Sequence, residues 1–282
     1  MKTRTLLAAA ALTLPLTVLA EGDSPWLPIP GQFSLSVSHT EQSGDAAYIG
    51  DQMLAVTAIT GGAASKFKRS TTSLRLGYGL TDAVSLDATL GFGKVKAGAA
   101  DSDSGMTDTV VGVNWRVLDE FEQPALPTLT LRGAAIIKGS YEGGRLAALG
   151  NAQNGLEVAV LLGKQFTSAL ALSAELGVQD RSGSVPNAVF YEIGARYRFA
   201  PKLSASLGYS DKKYGGSLDI GGPGFAPSRF QEVRAKRSLA KLGVGYAIAG
   251  NQGVGLTLAK TLSGRNTVKD DQIVGLSYTY AF

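Results

Sequence analysis

Lys269-Asp-Asp-Gln-Ile-Val-Gly-Leu-Ser-Tyr-Thr-Tyr-Ala-Phe282 decides the fold by its spacing. Val274, Leu276, Tyr278, Tyr280 and Phe282 share one parity; Ile273, Gly275, Ser277, Thr279 and Ala281 take the other. A period of two belongs to a strand with one oily face and one small or polar face. Such a strand needs partners on both edges. A closed transmembrane barrel repeats this pattern on every strand, with aromatic residues marking the membrane interface.

The same beat recurs along the chain. Phe33, Leu35 and Val37 alternate with serines. Leu74, Leu76, Tyr78 and Leu80 lead through Thr81-Asp-Ala83 into Val84, Leu86, Ala88, Leu90 and Phe92, which reads as a hairpin. Val111, Val113, Trp115 and Val117 follow, then Leu129, Leu131 and Ile137 beyond Pro124 and Pro127. In the second half the runs starting at Leu156, Leu170, Val189, Leu203, Leu242 and Val254 turn at Thr167-Ser168, Ala200-Pro201 and Gly250-Asn251.

The count is about twelve strands, joined alternately by short turns and long polar loops. The expected fold is all-β, a transmembrane antiparallel up-and-down barrel with short periplasmic turns and long extracellular loops. A soluble sandwich also alternates, but its strands are usually about five or six residues long. Trp115, Tyr78, Phe166, Phe199, Tyr246 and Phe282 lie near strand ends, as interface girdles do. The segment Gly44–Ser65 is the hardest to place; an added wall strand there would make the count odd. It reads as an external or inward-folded loop.

At the amino end, Met1-Lys-Thr-Arg4 precedes an apolar run to Ala20 and then Glu21. This describes a cleaved signal peptide over residues 1–20, with an uncleaved anchor as the competing reading. Residues 21–30 then form a proline-rich periplasmic lead-in, and 31–282 a single barrel domain in the bacterial outer membrane. The formal charge of +4 falls to +2 without Lys2 and Arg4, too weak to argue for nucleic acid. Absence of Cys excludes disulfide frameworks and thiolate chemistry.

Function would lie on the inward parity. It carries Arg75, Asp87, Arg116, Arg132 and Lys138, then Glu157, Glu175 and Glu192, then Arg196, Arg198 and Lys241. Bases crowding one arc and acids another would set a transverse field that selects charged or dipolar solutes. The alternative is that these groups pair and fill the lumen, Arg75 with Asp87 being one candidate. Inward glycines leave room for water, or mark where a plug approaches the wall. His39 is the sole histidine and shares parity with Phe33 and Val37, so it should face outward. A His–Ser hydrolase site is therefore disfavoured, and no cofactor or metal is expected. The basic group Arg229, Arg234, Lys236 and Arg237 reads as a solvated rim, with lipopolysaccharide phosphates as the competing partner.

Tyr278-Thr-Tyr-Ala-Phe282 resembles the carboxy-terminal aromatic signal read by the barrel-assembly machinery, with Tyr278, Tyr280 and Phe282 as its aromatic residues. Leu76-Gly-Tyr-Gly-Leu-Thr-Asp82, followed by Val84-Ser-Leu86, resembles a hairpin of the MetA-pathway phenol-degradation family. That resemblance implies a transporter-like barrel for small, often hydrophobic compounds, and carries over no substrate residues. The expected function is a channel for passive diffusion of small solutes. A non-conducting structural, adhesive or secretion-assisting barrel is the alternative, and a lipid hydrolase a distant third.

Overall fold

A computed structural model describes residues 24–98 and 101–282. The expected signal peptide and the first residues of the lead-in lie outside them. Twelve long strands form the wall. They are β1 (Phe33–Gly44), β2 (Phe67–Gly79), β3 (Val84–Ala97), β4 (Thr109–Leu118), β5 (Thr128–Ile137) and β6 (Gly155–Gln165). The second half adds β7 (Leu170–Arg181), β8 (Ala188–Ala200), β9 (Leu203–Tyr214), β10 (Lys236–Ala249), β11 (Gln252–Arg265) and β12 (Gln272–Ala281).

Each strand pairs antiparallel with its neighbours in sequence, and β12 closes the ring on β1. The closing register sets Ser34 opposite Ala281 and Val37 opposite Tyr278. Phe33 and Phe282 exchange both backbone hydrogen bonds, at 2.8 and 2.9 Å. Closure leaves no unpaired edge, which is the condition for a sheet to lie in hydrocarbon.

Burial is inverted relative to a soluble protein. On β6, Leu156, Val158, Val160 and Leu162 are 39–63% exposed, whereas Glu157, Ala159 and Leu161 between them are buried. The exposed apolar parity continues around the wall through Leu176, Ile193, Leu207, Val244 and Leu276. Only a lipid environment makes that arrangement favourable. Among the described residues no helix is long and apolar enough to cross a membrane; the crossing is made by strands. The inward face is not wholly polar: Leu161, Phe190 and Ala159 form a buried apolar patch inside the wall.

The short connections include residues 80–83, 166–169, 201–202 and 250–251, and this end is the periplasmic one. At the other end, Gly44–Ser65 is neither a wall strand nor an unstructured loop. Ala46–Ile49 and Gln52–Ala55 form a hairpin that pairs with Thr267–Lys269 in a separate three-stranded sheet, followed by a helical turn at Val56–Ile59. Ala47 and Val56 are fully buried in a cluster with Phe67, Val95 and Ala147.

The connection between β3 and β4 contains one further strand, Asp101–Met106, which pairs with the external half of β3. It extends β4 across a one-residue break in register: Thr89 faces Val110, but Phe92 faces Met106. The far edge of this strand meets residues 139–142, Ser140 N–H donating to Met106 O at 2.9 Å. Asp108, at the break, accepts from Tyr141 Oη at 2.6 Å and pairs with Arg181 at 2.6 Å.

Candidate functional site in the barrel lumen

The inward parity of seven strands is tied into one polar belt. Arg75 on β2 reaches Asp87 on β3 at 3.3 Å. Asp87 also accepts from Arg132 on β5 through Nη1 (2.5 Å) and Nη2 (3.2 Å). Asn114 on β4 lies between them, donating to Asp87 at 2.9 Å and accepting from Arg132 at 3.2 Å. Arg132 Nε continues to Glu157 on β6 at 3.4 Å. Glu157 accepts from Gln179 on β7 at 2.6 Å, and Gln179 accepts from Lys212 on β9 at 2.7 Å.

Asp87, Asn114, Arg132, Glu157 and Gln179 are all buried. Acids and bases alternate along this belt, so on this arc the charges meet as pairs, not as opposed fields. A buried pair needs its remaining lone pairs and protons satisfied, and Asn114 and Gln179 do this. Sequence reading passed over both, although each stands on the inward parity. Gly112 on β4 permits the belt: a Cβ there would lie 2.5 Å from Arg132 Nη1.

The other expected lumen residues divide between the lumen and its rims. Lys241 and Glu192 pair at 2.6 Å across the inner wall. Glu175 is buried on β7 opposite Leu161 and Glu192 of the adjoining strands. Arg196 lies opposite Ala171 on the same inner face.

Arg116 and Arg198 sit at the periplasmic rim. Arg116 Nη2 donates to Asp82 O at 2.5 Å and pairs with Asp119 at 3.0 Å; Arg198 donates to Ser168 O. Strand ends expose carbonyls that a long cation satisfies, which draws both side chains to the turns. Lys138 is exposed one residue past the end of β5, its N–H donating to Asn154 Oδ1.

His39 faces outward, as its parity predicts, hydrogen-bonded to Thr72 at 2.9 Å and to Glu41 at 3.1 Å. Among the described residues no group of three or more His, Cys, Asp or Glu side chains is arranged to hold a metal ion.

The lead-in occupies the periplasmic mouth. Pro25 is fully buried, its carbonyl accepting from Thr130 Oγ1 on β5 at 2.7 Å. Trp26 Nε1 donates to Glu120 at 2.8 Å, and Pro30 bridges to Gly79 at the end of β2. Residues 25–30 therefore run beneath the lumen from the β5–β6 wall to β2. The external mouth is crossed by the 138–154 and 215–235 loops. Leu149 lies over Gly93 of β3, Asn151 donates to Tyr214 Oη at 3.1 Å, and Gln153 donates to Gln231 at 3.1 Å.

Between the two closures lies a cavity of about 300 Å³, lined by inward residues of β2, β8, β9 and β10 and by both loops. Its size falls at the lower end of the range for small-molecule sites.

The fold is shared with solved barrels. An outer membrane channel from Pseudomonas putida F1 superposes with a TM-score of 0.71 at 19% identity, over 93% of this chain and 99% of that one. The KdgM porin in complex with disordered oligogalacturonate gives 0.50 at 9% identity, over 88% and 99%. The translocator domain of autotransporter NalP from Neisseria meningitidis gives 0.50 at 13%, over 90% of each chain. No curated protein matches the sequence. The family described as "Putative MetA-pathway of phenol degradation" matches residues 33–277, and the chain belongs to that family.

Proposed function

We propose that this barrel is a passive outer-membrane channel for small solutes, hydrophobic or aromatic ones among them. The observation that carries the reading is the cavity of about 300 Å³ enclosed within a closed, lipid-facing wall. The likeness to the Pseudomonas putida channel supports it at the level of fold. Passage requires the Pro25–Pro30 segment to leave the periplasmic mouth and the external loops to part. Selectivity rests on the luminal charges, above all Arg75, Asp87, Arg132, Glu157, Glu192 and Lys241. The reading assigns the chain no catalytic step. Tyr278, Tyr280 and Phe282 serve as its assembly signal.

The filled mouth and the paired belt favour one other reading, a non-conducting structural barrel. Planar-bilayer recording of the purified protein separates the two. Discrete current steps are expected; absence of current at every voltage, in wild type and in a variant freed of the Trp26 contact, would reject the channel.

A further inference from the structure

The cavity is unevenly charged. Six cationic side chains and two carboxylates line it. Lys241 is matched by Glu192 at 2.6 Å, and Arg145 by Glu142 at 2.5 Å. Two guanidiniums are served differently. Arg237 on β10 pairs with Asp270 and reaches Gln42 at 3.2 Å, yet its buried Nε makes no hydrogen bond.

Arg69 on β2 donates from Nη2 to Ala148 O at 2.7 Å, and its Nε is likewise buried and unbonded. Among the described residues no carboxylate lies within ion-pair distance of Arg69, although Asp270 and Arg237 are both within electrostatic reach. Two arginines thus share one carboxylate. Unbonded buried donors are costly, and a guanidinium is shaped to take a second carboxylate.

The rest of the lining is of another character. Phe190, Leu149, Val185 and Tyr214 present apolar surface to the same cavity, with Lys212 Nζ 5.9 Å from the Phe190 ring centre. A cationic corner beside an apolar floor suits an anion that carries a compact apolar body. Inorganic anions would leave that floor wet.

We infer that this cavity binds a small organic carboxylate, its charge held by Arg69 and Arg237 and its apolar body against Phe190 and Leu149. The inference deepens the channel reading by naming a solute class, and rests on that reading only for transport, not for binding.

Equilibrium dialysis of detergent-solubilised protein against radiolabelled benzoate, benzyl alcohol and inorganic phosphate tests it. Benzoate is expected to bind saturably, and the neutral alcohol and phosphate about tenfold more weakly or worse. Arg69→Gln should weaken benzoate by about tenfold, the effect of losing one charge-assisted bond. Among the described residues Arg69 hydrogen-bonds only to a backbone carbonyl, so this variant keeps the test valid if Arg237→Gln fails to fold. Lys94→Gln, on the outward face of β3, should leave binding unchanged.

Equal binding of benzoate and benzyl alcohol would overturn the inference, as would equal binding of phosphate, no benzoate binding by wild type, or unaltered binding by Arg69→Gln. Because dialysis needs no conduction, benzoate binding by a barrel that passes no current would refute the channel and leave the site standing. A conducting barrel with no preference for benzoate would do the reverse.

Discussion

Trp26 donates its indole N–H to Glu120 Oε1 at 2.8 Å, joining residues 94 positions apart across the periplasmic mouth. The bond holds the lead-in where a solute would leave the barrel. Trp26→Ala removes both the bond, worth about 1 kcal/mol, and the ring that covers Gly163. The expected result is a several-fold rise in the open fraction in planar bilayers. An unchanged open fraction would mean that the lead-in is no obstacle.

Gly163 provides an independent handle on the same segment. A Cβ there would lie 2.5 Å from Pro25 Cγ and 2.7 Å from Trp26 Cζ2, closer than carbon atoms approach without displacement. Gly163→Ala should therefore evict the lead-in and reproduce the Trp26→Ala currents. Its Trp26 emission should also shift to the red as the indole meets water. Wild-type emission together with wild-type current would count against this account.

The Asp87–Arg132 pair is 5% and 4% exposed at its side chains, with Glu157 beside it. Removing one partner of a buried pair strands the other and costs about 3 kcal/mol. Urea unfolding of Arg132→Met in lipid vesicles should show a loss of that order. Arg229→Gln removes a partner of Glu232 from an exposed pair and should leave the midpoint in place. Comparable midpoints for the two variants would show that the belt contributes little.

In the external crown, Asp219 accepts from Arg265 at 2.6 and 2.8 Å, from Arg234 at 2.6 and 3.1 Å, and from Asn266 at 2.8 Å. The Arg265 and Arg234 guanidiniums, followed by Asn266, hold its carboxyl well below the usual carboxylate range. A carboxylate whose folded pKa is depressed stabilises fully above its unfolded value, about 3.9, and loses that contribution as pH falls through the folded one. The 215–235 loop should accordingly keep its protease resistance at pH 5 and at pH 4, and yield only in stronger acid. In Asp219→Asn the loop should be cut at neutral pH. Wild-type cleavage beginning at pH 5 would contradict the assignment.

Phe282 stacks on Phe33 at 5.8 Å and on Tyr280 at 5.5 Å between ring centres, and Phe33 meets Tyr78 at 4.4 Å. The aromatic end of the last strand is thus also the seam on which β12 meets β1. Each such ring pair contributes about 1 kcal/mol. Phe282→Ala should lower the yield of heat-resistant folded barrel in cells and slow refolding into vesicles. Normal yield with slowed refolding would assign the rings to closure alone; normal values of both would remove them from either role.

The sequence was informative wherever a side chain's direction follows from its position in a strand. Alternation in the Lys269–Phe282 stretch placed Val274, Leu276 and Tyr278 outward. Carried along the chain, the same rule turned His39 to the outside and Asp87, Arg132 and Glu157 to the inside. Near strand ends parity is a weaker guide: Lys138 stands one residue past β5, and turn carbonyls draw Arg116 and Arg198 to the rim. Parity also missed the inward Leu161 and Phe190 patch, since it was used to read charges and not the apolar residues between them.

By itself, then, the sequence determined an all-β barrel with an oily exterior, because a two-residue period is a local property of the extended chain. Apart from Arg75 with Asp87, tertiary structure decided which inward side chains meet. Arg132 reaches Asp87 across 45 residues, Lys212 reaches Gln179 across 33, and Trp26 reaches Glu120 across 94. Those meetings depend on ring closure, strand register and the return of a proline-rich segment into the mouth. The final strand set the inward parity; the closed ring set the partners across it.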